Sequence, residues 1–118
     1  MNIREIQKQI HKQNVDMGWW DKPREKGTLL MLVVSEVAEA MEGERKNLMD
    51  DHLPHRKMAE VELADAVIRI LDYAEAHGYD VHSAMVEKNT HFRKTWKEPT
   101  LFAKCRPVKL ALIGFYKR

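Results

Sequence analysis

Two acidic pairs with the same spacing stand out in this chain, Glu36-x-x-Glu39 and Glu62-x-x-Asp65. On a helix, residues three apart lie about 60° apart around the axis, so each pair sets two carboxylates on one face. Both pairs sit among apolar residues. Glu36 follows the continuous apolar run 29–34, and Leu29 and Leu32 precede it on nearly the same stripe. In VELADAVIRIL, residues 61–71, only Glu62, Asp65 and Arg69 are charged, and all three fall on one narrow stripe. A single pair of this kind is ordinary surface decoration. A helix that is apolar almost all round is normally buried, however, and buried unpaired carboxylates are costly and repel one another.

A divalent cation held between the pairs removes both penalties. Four hard oxygen donors with no nearby His or Cys favour Mg²⁺ or Mn²⁺ over zinc. No glutamate has a histidine three residues later, which argues against a Glu-x-x-His di-iron site. Arg69, four residues after Asp65, is placed to orient that carboxylate. Mg²⁺ held by carboxylates keeps positions for water and substrate phosphates. Further on, Lys88, Asn89, Arg93 and Lys94 lie within two helical turns, either a solvated basic face or a polyphosphate clamp. Trp19 and Trp20, in the segment GWWDKPREKG, either stack on a base or pin their loop to the core.

Four helices are needed to position these groups. Ile3, Ile6, Ile10 and Met17 step as one amphipathic helix that Gly18 ends. Thr28 is expected to cap a second helix reaching Gly43 or a few residues beyond. Pro54 suits the start of a third, which runs to about His77 with Gly78 as its stop. Asp80 is expected to cap a fourth, closed by Pro99. No alternating strand pattern occurs before residue 100, so the expected fold is an all-α four-helix bundle over residues 1–99. The remainder, 100–118, reads as a basic and apolar C-terminal tail whose VKLALIGFY is ambiguous between strand and helix.

Length and composition agree with this. The 118 residues suffice for one domain, with 44% hydrophobic and 32% charged residues. One cysteine, Cys105, leaves no internal disulfide or Cys-based zinc cluster. No apolar run approaches the roughly 18–20 residues of a membrane span, and the polar start MNIREIQKQIHKQ has no signal-peptide core. A cytoplasmic protein without membrane contact is expected. Five of the 20 Lys and Arg, and none of the 18 Asp and Glu, fall after residue 99. That tail is interleaved with apolar residues, so nucleic acid is not an expected partner.

The two acidic motifs, with 22 residues between them, together with GWWDKPR, SEVAEAMEGER and ELADAVIRILD, resemble the MazG-like all-α nucleoside triphosphate pyrophosphohydrolases over about residues 1–95. The resemblance implies hydrolysis of an NTP or dNTP between the α and β phosphates, giving the monophosphate and pyrophosphate. It implies Mg²⁺ binding by Glu36, Glu39, Glu62 and Asp65, and assembly as a homodimer or dimer of dimers. Some relatives carry a glutamate directly before the first motif acid. Ser35 stands there in this chain, which leaves activation of the attacking water to the cation. Relatives also place Lys, Asn and Arg on the last helix, where EKNTHFRK has the residue types. Their Arg-Pro followed by a basic stretch is here Arg106-Pro107 followed by an apolar one. The expected mechanism is in-line attack of water on the α-phosphorus, with Lys88 and Arg93 assisting the cation in neutralising the leaving pyrophosphate. The alternative is a catalytically idle helical module that senses nucleotide or mediates oligomerisation.

Overall fold

The computed structural model describes residues 1–95. They form four helices, α1 (Ile3–Asp16), α2 (Lys26–Lys46), α3 (Met58–Ala76) and α4 (Val81–Thr95). No strand occurs among the described residues, and their fold is all-α. Expectations for Pro99 and for the segment 100–118 lie outside the described residues. Two units are present, Met1–Val81, which holds α1 to α3, and a second that begins at His82 and includes α4 beyond its first residue.

Local chemistry sets the helix ends. At the start of α1 the Asn2 side chain accepts from the Glu5 backbone N–H at 2.9 Å, while Glu5 accepts from the Asn2 N–H at 3.0 Å. This reciprocal pair satisfies two donors that the helix itself cannot. Gly18, at φ +83°, ends α1 in the left-handed region. The cap of α2 is Glu25 and not Thr28. Its carboxylate accepts from Gly27 N–H at 2.7 Å and Thr28 N–H at 2.6 Å, and those backbone bonds hold its pKa below the ordinary value. A carboxylate three residues upstream reaches the free amides of the first turn, so the helix begins earlier than a Thr28 cap requires.

α2 runs past Gly43 and ends at Asn47, whose φ of 51° is left-handed. Gly43 is buried where α2 meets the start of α3. A Cβ there would lie 3.0 Å from Ala59 N and from Met58 Cβ, so a side chain would force the helices apart. α3 begins at Met58 and not at Pro54. The flanks of the connection pair first, Met49 bridging Lys57, Asp50 N–H donating to Arg56 O and Met58 N–H to Leu48 O. Pro54 lies in the turn between these flanks.

Contacts give the order of packing. Gly43 meets Ala59 while Glu36 meets Arg69, so α2 and α3 run antiparallel. Gln7 meets Glu75 while His11 meets Asp72, so α1 and α3 do too. The buried apolar residues are mostly small: Leu29, Ala40, Ala59, Ala66, Leu71 and Ala74. The expectation that the 61–71 helix is buried all round is corrected. Leu63, Val67, Ile68 and Ile70 are exposed, as are Leu30, Met31, Val34, Val37 and Met41 of α2. Within the unit, α1 and α2 cover only part of α3's circumference.

Candidate functional site

Three of the four predicted acids converge. Glu36, from α2, and Glu62 and Asp65, from α3, each offer a carboxylate oxygen, and these oxygens lie within 4.8 Å of one another. Glu36 is buried at 7% exposure, and Glu62 and Asp65 are half-buried. Glu39 does not join this trio. It is exposed, one step further around α2, yet it lines the same cleft and its charge acts on Glu62.

The electrostatics follow from this crowding. Burial pushes the Glu62 carboxyl up to about 7, reinforced by a hydrogen bond with Glu36 and by the charges of Glu39, Glu36 and Asp65. Asp65 is also raised, by burial first and then by Glu36, with Arg69 opposing, Asp50 adding and His52 opposing. A metal-free cluster of this kind holds protons at the expense of charge. All-carboxylate oxygen donors at this mutual distance fit a hard divalent cation such as Mg²⁺ or Mn²⁺.

Arg69 corrects a second expectation. Its Nε donates to Glu36 Oε1 at 2.5 Å, across the gap between helices, and no hydrogen bond joins it to Asp65. Glu36 is the more deeply buried of the two acids and gains more from a charged donor. Arg69 still lowers Asp65 by proximity of charge.

The connection between α2 and α3 completes the acidic cleft with residues that motif reading passed over. Asp50, His52 and Leu53 line it beside the carboxylates. Asp50 Oδ2 accepts from the backbone N–H groups of His52 at 2.9 Å and Leu53 at 2.6 Å, which locks the turn. The acid and histidine in NLMDDHLP were the available signal.

Beside the acidic cleft lies a second cavity of about 160 Å³, walled by Trp19, Trp20, Leu29, Leu32, Ile68 and Tyr73, with Arg24 at its rim. The two share Asp65 and Arg69 in their walls. Trp20 donates its indole N–H to both Asp72 oxygens, at 3.1 and 3.2 Å, and the same carboxylate pairs with His11 Nδ1 at 2.7 Å. The His11 and Trp20 rings meet edge to face at 5.4 Å, and the Arg24 guanidinium lies 5.5 Å from the Trp20 centroid. Trp20 thus pins its loop to α3 and forms cavity wall together. Trp19 lines the same cavity and is 44% exposed.

Lys88, Asn89 and Arg93 are exposed on α4, in the second unit, with Lys88 Nζ 5.3 Å from the Phe92 ring centroid. Ser35 donates its hydroxyl to the Leu32 carbonyl at 2.7 Å, within its own helix. None of the four helices is long and apolar enough to cross a membrane. No family model, curated protein or solved structure matches the chain.

Proposed function

We propose that this chain hydrolyses nucleoside triphosphates, ribo or deoxy, between the α and β phosphates in a divalent-cation-dependent reaction, releasing pyrophosphate and a monophosphate. The observation that carries the reading is the shared wall. A cavity lined by aromatic and apolar groups, suited to a base, adjoins a carboxylate cluster suited to a cation and phosphates, with Asp65 and Arg69 common to both.

Glu36, Glu62 and Asp65 would hold Mg²⁺, or Mn²⁺ in its place, with Glu39 on the same wall. When bound, that cation supplies neutralising charge to the phosphates and acidifies water. Arg69 donates to Glu36 and fixes its direction. Lys88, Asn89 and Arg93 are assigned to the leaving phosphates by residue type and by the MazG-like resemblance. Trp19 is assigned to the face of the base, and Trp20 to the wall behind it. The exposed apolar stripes of α2 and α3 support assembly as a homodimer or dimer of dimers.

The second reading, a nucleotide-sensing or oligomerisation module without turnover, is favoured by one observation. Ser35 spends its hydroxyl on its own helix and offers no base beside Glu36. Pyrophosphate release from a panel of NTPs and dNTPs, with Mg²⁺, with Mn²⁺ and with EDTA, separates the two. Metal-dependent pyrophosphate with matching monophosphate supports hydrolysis. Binding without release supports the sensor, and orthophosphate would mean that a different bond is cut.

A further inference from the structure

α1 turns a polar stripe toward α3. Gln7 donates to Glu75 at 2.7 Å and to the Tyr79 carbonyl at 2.9 Å. His11 pairs with Asp72. Next on the stripe comes Asn14, which is 8% exposed and lines the aromatic cavity. A carboxamide in the wall of an otherwise aromatic and apolar cavity is a polar group that a ligand seated there can meet.

We infer that Asn14 is the residue that selects the nucleobase, its carboxamide hydrogen-bonding the polar edge of a ring held in the cavity by Trp19, Leu29, Leu32 and Tyr73. The inference rests on the nucleotide reading of the neighbouring cleft. It goes beyond that reading by naming how the base is read. A cavity of 160 Å³ has the capacity for one aromatic ring, since roughly 150 Å³ suffices for benzene. A carboxamide carries a donor beside an acceptor, so it matches base edges that carry the complementary pair, a ring amide or an amidine. Two other polar wall groups are already engaged, Asp72 with Trp20 and His11, and Arg69 with Glu36. Asn14 is the carboxamide of this wall and can offer a ligand both a donor and an acceptor.

The test uses the full chain and free nucleosides, adenosine, guanosine, cytidine and uridine, titrated without divalent cation and followed by calorimetry and by the Asn14 side-chain amide resonances. The wild type is expected to prefer one or two bases and to shift those resonances on binding. Asn14→Leu, similar in size and apolar, is expected to compress the preference by about tenfold or more, because a site built to hydrogen-bond discriminates strongly. Asn14→Asp, an acceptor only, serves as the second variant should the first melt early. It is expected to move preference toward guanosine, whose edge carries adjacent donors. An unchanged preference in both variants overturns the inference, and so does failure of every nucleoside to bind or amide resonances that ignore the ligand. Base-selective binding that depends on Asn14 in a protein that never releases pyrophosphate would sink the hydrolase reading and keep this one. Pyrophosphate release with base preference indifferent to Asn14 would do the reverse.

Discussion

Arg69 of α3 reaches across to Glu36 of α2, passing over Asp65 one turn away on its own helix. This cross-helix pair ties the most buried acid of the cluster to the opposite helix. Replacing Arg69 by Met leaves Glu36 buried beside Glu62 and Asp65 without its charged donor. The expected loss is about 2 kcal/mol, the scale of one charge-assisted hydrogen bond. Adding Glu36→Gln to the variant is expected to restore part of it. Denaturant unfolding of the wild type, both single variants and the double variant measures the coupling.

Glu62 gives a pH signature. Its pKa stands at about 7 in the folded protein against an ordinary 4.5, so between those values the folded state binds more protons than the unfolded. Stability of the metal-free protein therefore falls as pH rises through that window and stays reduced above it. Asp65, also raised, acts in the same direction. Glu62→Gln is expected to flatten the fall and raise the melting temperature at pH 8 in EDTA, while pyrophosphate release drops at least about 100-fold. A variant that melts lower than wild type at that pH would contradict this account.

Trp20 is expected to resist even conservative change. Trp20→Phe keeps an aromatic ring but removes the donor to Asp72, and about 1 kcal/mol is the expected cost. Trp19→Phe, at the more exposed neighbour, is expected to leave thermal stability nearly unchanged and to act on nucleotide affinity. Thermal melts together with nucleotide titration separate the two roles.

The exposed stripe of α2 can be tested by charge. Val37→Lys places a cation between Val34 and Met41 on the exposed apolar stripe of α2. If that face joins copies of the chain, light scattering will show a smaller species with helical content retained. An unchanged mass would remove the support this face gives to assembly.

Helix number and the acidic cluster were legible in the sequence because both rest on periodicity. Boundaries failed where tertiary or side-chain chemistry intervened. Glu25 caps α2 ahead of Thr28, and the 48–50 and 56–58 flanks pair before α3 begins. Glu39 shares a stripe with Glu36 by spacing, but one step around the helix carries it out of the converging trio. Asp50 and His52 reach the cleft through a turn whose shape no periodic pattern encodes. Gln7 and Asn14 were readable in hindsight, since with Ile3, Ile10 and Met17 they complete a three-four stripe, the pattern of an inward face.

Asp72 receives both the Trp20 indole and His11, so segments distant along the chain end on one carboxylate of α3. The cavity's outer wall is therefore a tertiary assembly with no local stiffness of its own to rely on. Any molecule seated there is linked to the docking of α1, and each stabilises the other by the same free energy. Occupancy should thus be visible far from the cavity, as slower amide hydrogen exchange along α1, and weakening that docking should loosen the ligand in equal measure.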